Sequence, residues 1–173
     1  VTYHLERTSH GSTLSGVVSA WVLARYQPEE AWEFLMRALE SDIADVQGGT
    51  TAEGVHLGAM AGTVDIVLRC LTGMRARGPV LRFDPALPPK VKQLRFSVHY
   101  RGHRIDVELA EDRLRLRSRP GAAQPIQVLV RDEMVELGPG EEREVSLVTR
   151  SQHPLRNPTT ERSPPHGQPG PEE

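Results

Sequence analysis

Asp45-Val46-Gln47-Gly48-Gly49-Thr50-Thr51-Ala52-Glu53-Gly54-Val55-His56-Leu57-Gly58-Ala59-Met60-Ala61-Gly62-Thr63 is the stretch whose reading decides the fold. It opens on glycines and threonines and runs into a helical pattern. Thr50 and Glu53 have the spacing of a capping box, the Thr hydroxyl on the third helical amide and the Glu reaching back. Glycines before a helix let backbone amides approach a ligand closely, and a helix N-terminus favours an anion. A helix from about Ala52 to Thr72 follows, with His56 in roughly its second turn. Val55, Ala59, Ile66, Val67, Cys70 and Leu71 form its expected inner face, and Gly73 its C-terminal stop. Gly54, Gly58 and Gly62 recur every fourth residue. Glycine costs helix stability, so that edge is expected to meet another helix or a ligand at close range.

Upstream, residues 1–11 are polar and expected to be extended or looped. Ser12 or Thr13 offers an N-cap. Leu14, Val17, Val18, Trp21 and Val22 then trace an amphipathic stripe. Pro28-Glu29-Glu30 starts a second helix with proline at the first position and acids in the first turn. Its stripe is Ala31, Phe34, Leu35, Ala38 and Leu39.

Downstream of Gly78-Pro79 the period changes from helical to alternating. Val80–Phe83 reads as a short strand and Asp84–Pro89 as a stiff connector. Leu94, Phe96, Val98 and Tyr100 alternate with polar residues. Ile105, Val107 and Leu109 answer across the turn Arg101-Gly102-His103. Leu114 and Leu116, Ile126–Val130, Met134–Leu137 and Val145–Val148 complete the series. Turns at regular spacing predict a meander of antiparallel strands in a sandwich or open barrel. After Ser151 the apolar content collapses, and a disordered tail is expected. The fold class is α+β. Residues 1–78 are helical, 79–150 form an antiparallel β-domain and 151–173 the proline-rich tail. Three helices with a glycine edge make a poor independent core, so they are expected to belong to a larger helical assembly.

Composition excludes some classes and leaves others open. The 173 residues carry a formal charge of −2, so no global basicity points to nucleic acid or an anionic membrane. No apolar run reaches the length of a membrane span. A single cysteine, Cys70, fits a buried small hydrophobe in a reducing compartment, and a cytoplasmic location is expected. The start at Val1, without methionine or secretory leader, is expected to be a cut inside a longer protein. Arg113, Arg115, Arg117 and Arg119 alternate on one strand, which reads as a solvated sheet face. His99, His103, His153 and His166 show no metal-ligand spacing.

Two motifs in order resemble glycoside hydrolase family 65, the maltose, trehalose and kojibiose phosphorylases and related hydrolases. The first is Arg7-Thr8-Ser9-His10-Gly11-Ser12-Thr13-Leu14-Ser15 and the second is Gly48–Thr63. Phe83-Asp84-Pro85-Ala86-Leu87-Pro88, Leu94-Arg95-Phe96 and Tyr100-Arg101-Gly102 look like the start of that family's C-terminal β-domain. The resemblance implies the last helices of an (α/α)6 catalytic barrel followed by a small antiparallel β-sandwich or sheet domain. It implies inverting chemistry, in which a glutamic acid protonates the leaving oxygen and phosphate attacks from the opposite face. That acid has no counterpart in this chain, so no catalytic residue is expected here and the chain alone should be inactive. The implied phosphate and substrate contacts are His10, Gly11, Ser12, Thr13, Gly49, Thr50 and His56. Inorganic phosphate is the implied co-substrate, with no metal or other cofactor. The implied partners are an α-linked glucose disaccharide and the remainder of the barrel, with homodimerisation of the full-length protein and no nucleic acid or membrane. Competing readings are an inverting disaccharide hydrolase, a non-catalytic carbohydrate-binding or scaffold module, and a basic β-domain for nucleic acid. Aromatic residues, the usual sugar platforms, are only 5% of the chain, and Trp21 and Trp32 fall on helices.

Overall fold

The structure, a computed structural model, describes residues 12–44, 52, 54–76 and 78–148. Among the described residues three α-helices come first: α1 (Thr13–Leu23), α2 (Pro28–Glu40) and α3 (Leu57–Ile66), the last running into a π-helical turn at Val67–Leu71. Seven strands follow: β1 (Val80–Phe83), β2 (Gln93–Tyr100), β3 (His103–Ala110), β4 (Arg113–Ser118), β5 (Ile126–Val130), β6 (Glu133–Leu137) and β7 (Glu142–Ser146).

The short turn after Leu23 folds α1 and α2 into an antiparallel hairpin. Gly16 of α1 sits against Phe34 and Ala38 of α2, and a Cβ there would lie 3.5 Å from the Phe34 carbonyl. α3 lies along the other flank of α1. A Cβ at Gly58 would meet Leu14 at 3.8 Å, and one at Gly62 would meet Val17 at 2.3 Å. Positions 14 and 17 of α1 thus match 58 and 62 of α3, so the two helices run parallel and begin at the same end. The glycine edge has its expected close neighbour at Gly62. Gly54 has another role, since nothing lies near it and its φ is +105°.

That φ corrects the third helix. The expected start near Ala52 would need helical backbone at Gly54, which lies far from it. Residues 54–56 are irregular, and α3 begins at Leu57 with His56 as its N-cap residue. Val55 is exposed instead of lining the inner face. Thr50 and Glu53, the expected capping box, lie outside the described residues.

Of the stripe expected in α1, only Val17 turns inward. Val17, Ser19, Ala20 and Leu23 are buried, while Leu14, Val18, Trp21 and Val22 are exposed. Two helices approach α1 closely enough to select its small residues, and the bulky stripe is left facing outward. Leu57 and Val64 of α3 are exposed as well, at 76% and 58%. In α2 Ala31, Leu35 and Ala38 are buried as expected and Phe34 half-buried, while Leu39 is exposed.

Gly73 ends the helical part, with φ +63°. The chain then doubles back. Arg75 and Arg82 exchange backbone hydrogen bonds of 2.9 and 3.0 Å, and Gly78, at φ +78°, lies in the bend between them. The Asp84 and Ala86 amides donate to the Thr72 and Leu71 carbonyls at 3.2 and 2.9 Å. Pro88 reaches a small apolar hollow lined by Ala31, Trp32, Leu35, Ile66 and Leu71. The connector therefore seats the β-part on the helices.

The strands form two sheets, β1-β5-β6 and β2-β3-β4-β7. Six strands lie where the sequence placed them and the last, expected at Val145–Val148, lies at Glu142–Ser146, while the pairing departs from a simple meander. β1 and β5 are parallel, and β7 crosses to pair with β4 instead of β6. Leu81, Phe83, Val128, Val130 and Leu137 of one sheet face Ile105, Val107, Leu109, Leu114, Leu116 and Val145 of the other in one core. Each such fully buried side chain contributes about 1.5–3 kcal/mol of transfer free energy, which makes this the stronger of the two cores.

The arginine strand is the solvated face it was read to be. Arg115 pairs with Glu144 at 2.7 Å and Glu142 at 3.4 Å, and Arg119 with Asp106 at 3.1 Å. Arg117 stands in register with Asp106 and Glu142. Exposed pairs of this kind contribute about 0–1 kcal/mol each, so they set register and solubility more than stability. His103 is a structural histidine. It is 2% exposed, with Nδ1 2.7 Å from the Ser118 hydroxyl and Nε2 donating to the Gln124 carbonyl at 2.8 Å. It ties β3 and β4 to the loop before β5.

Candidate anion site at the starts of two helices

The parallel packing of α1 and α3 decides where the candidate residues sit. Ser12 and Thr13 stand at the start of α1 and His56 at the start of α3, so all three lie at one end of the helix pair. The end of α2 arrives there too, because Ala38 packs on Gly16. Two helix N-termini and one helix C-terminus therefore converge.

Ser12 is the N-cap of α1. Its backbone is extended and its Oγ accepts from the Leu14 amide at 3.3 Å. A capping hydroxyl still owns its proton and can donate it to an anion, so capping and ligand contact are compatible. Ser15 donates its own hydroxyl to the Ser12 carbonyl at 2.5 Å and tightens the turn. Thr13 is the first helical residue and half-buried.

His56 is held by a residue the sequence did not announce. Asp42 lies two positions beyond α2. Both its carboxylate oxygens accept from the His56 backbone N–H at 3.1 Å, and Oδ1 lies 2.5 Å from Nδ1. The side chains of His56 and Asp42 are 23% and 14% exposed. The hydrogen bond from His56 holds the Asp42 carboxyl below the ordinary aspartate value of 3.8, against a smaller opposing effect of burial. An aspartate whose folded-state pKa is depressed stabilises the fold above its unfolded-state value. That stabilisation is lost as pH falls through the folded-state value. Asp42→Asn is therefore expected to flatten the acid limb of the pH–stability curve below about pH 4, measured by urea unfolding between pH 2.5 and 6. An unchanged limb would mean that the pair does not form.

His10, Gly11, Gly49 and Thr50 lie outside the described residues, as does Gly48. Asp42 carries no sequence signal of its role. It reads as a turn residue after a helix, and its partner is 14 positions away.

A layer of helices joined through a glycine-stopped turn to a β-domain has a solved counterpart. A human-microbiome protein described as a candidate kojibiose phosphorylase superposes with a TM-score of 0.69 at 20% identity, over 84% of this chain and 19% of that one. At that identity the likeness concerns the fold. Residues 1–65 match the glycosyl hydrolase family 65 central catalytic domain, and residues 74–137 match the glycosyl hydrolase family 65 C-terminal domain. An uncharacterized glycosyl hydrolase of Mycobacterium tuberculosis (strain H37Rv) is 45% identical over 84% of this chain and 11% of its own length. The trehalose 6-phosphate phosphorylase of Lactococcus lactis is 34% identical over 84% of this chain and 18% of its own length. The α,α-trehalose phosphorylase of Thermoanaerobacter brockii is 30% identical over 80% of this chain. The chain belongs to glycosyl hydrolase family 65. It spans between a tenth and a fifth of the length of these curated relatives.

Proposed function

We propose that this chain supplies the phosphate-binding side of an inverting disaccharide phosphorylase acting on an α-linked glucose disaccharide. The observation that carries the reading is the common end shared by Ser12, Thr13 and His56. Two helix starts side by side offer backbone amides and two dipoles of the same sign, which suits a tetrahedral oxyanion. The Ser12 hydroxyl and the His56 ring add side-chain donors.

In the proposed reaction a glutamic acid outside this chain protonates the glycosidic oxygen, and phosphate attacks the anomeric carbon in line from the opposite face. Phosphate is its own nucleophile, so this side of the site needs donors and no base. Asp42 favours that reading over an inverting hydrolase. Its carboxylate is committed to His56 and its pKa is depressed, which makes it a poor general base at neutral pH. The exposed Leu14, Val18, Trp21, Leu57 and Val64 support packing of this layer against further helices of the catalytic barrel.

The test is titration of the 173-residue chain with inorganic phosphate, followed by the His56 ring resonances and the amides of residues 12–15. Both sets are expected to shift with one dissociation constant. His56→Ala should weaken binding about 10–100-fold, the value of a hydrogen bond to a charged group. The same chain mixed with trehalose, maltose or kojibiose and phosphate should release no glucose 1-phosphate. Release of that product, or phosphate shifts confined to residues away from both helix starts, would overturn the proposal.

A further inference from the structure

We infer that Asp42 is a positioning residue that fixes the tautomer and orientation of His56, leaving Nε2 as the ring nitrogen that meets the anion. The inference rests on the phosphate reading of this end of the helix pair. An ionised carboxylate can only accept hydrogen bonds. The contact of 2.5 Å between Asp42 Oδ1 and His56 Nδ1 therefore puts a proton on Nδ1. The two contacts to the His56 backbone N–H hold the same carboxylate against the residue that caps α3. The ring itself is held by the one hydrogen bond that Nδ1 donates, to a carboxylate that the two backbone contacts fix in place.

The consequence is chemical. With Nδ1 occupied, Nε2 is the nitrogen left for a ligand. When the ring is an imidazolium, Nε2–H donates to a phosphate oxygen and the Asp42 charge offsets the ring charge. When the ring is neutral, the Nε2 lone pair accepts from a P–OH. In either case one proton lies between Nε2 and the anion, and Asp42 keeps the ring aimed for it. A purely structural Asp42 would tether α2 to α3 with the same proton on Nδ1, and its loss would leave phosphate affinity unchanged.

The experiment is long-range ¹H–¹⁵N correlation of the histidine rings in the 173-residue chain, combined with inorganic phosphate titration. In the wild-type chain the neutral His56 ring is expected to carry its proton on Nδ1. An Nε2–H tautomer there overturns the inference, whatever any variant does. In Asp42→Asn the side-chain amide can donate to Nδ1, so the ring proton should move to Nε2 and phosphate affinity should fall about tenfold. Asp42→Glu keeps the carboxylate and should restore the Nδ1 proton. A folded Asp42→Asn chain with wild-type phosphate affinity, whatever its tautomer, would reduce Asp42 to a tether. Tautomer switching in a chain that binds no phosphate would leave Asp42 its role and remove the phosphate reading instead.

Discussion

Gly73→Ala is expected to lower the unfolding free energy of the chain by about 3–4 kcal/mol, the sum of a left-handed backbone penalty and an overpacking penalty. The backbone at Gly73 has φ +63°, a region that costs an L residue about 1–2 kcal/mol. The added Cβ would also lie 2.1 Å from the Asp84 carbonyl oxygen and 2.6 Å from its nitrogen. Those atoms belong to backbone that cannot withdraw freely, because the Asp84 amide donates to Thr72. Gly78 provides the control. It too has a positive φ, +78°, but nothing lies within 4 Å of its Cβ position. Gly78→Ala should show only the conformational part, about 1–2 kcal/mol. Urea unfolding of both variants separates the two costs. Equal losses would mean that the helices and the β-part do not approach each other at Gly73.

Gly62→Val is the second large effect, expected at about 3 kcal/mol, toward the upper end for overpacking. Even a bare Cβ at 62 would lie 2.3 Å from Val17 Cγ1, 3.0 Å from Cγ2 and 3.2 Å from Cβ. Val17 is buried and β-branched, so a rotamer change gives little relief. α1 and α3 would have to separate. Val17→Ala should therefore rescue Gly62→Val, with a coupling of about 1 kcal/mol or more in a double-mutant cycle. Additive losses would contradict the contact. Separation of the helices should also weaken phosphate binding, because the contact lies one to two turns from Ser12 and His56.

Much of the fold was legible in the chain, and the parts that were not share a physical cause. Most strand positions were legible from apolar residues alternating with polar ones, since one face of a strand meets the core and the other meets water, but β7 begins three residues before the expected Val145. Which strands pair was not legible. The residue period of β7 is the same whether it lies beside β4 or β6, and that of β1 does not reveal a parallel partner. Of the α1 stripe Leu14, Val17, Val18, Trp21 and Val22 only Val17 faces inward, and the inward side was decided by Gly16, Val17 and Ala20, where two neighbours press close. The start of α3 was misjudged because capping residues are recognised by spacing, while Gly54 breaks the helix through a backbone angle. Of the site, Ser12, Thr13 and His56 were singled out from motif resemblance. Asp42 was not, because a carboxylate brought to a histidine by helix packing leaves no periodic trace. A search for an acid in the turn that follows α2 would have been the way to suspect it.

The most direct measurement is a crystal structure of the 173-residue chain grown with inorganic phosphate. The expected result is one tetrahedral anion within about 3 Å of both Ser12 Oγ and His56 Nε2, with Asp42 on Nδ1 and Val17 seated over Gly62. Helix starts that lie apart, or an anion bound elsewhere while His56 Nε2 faces water, would contradict it.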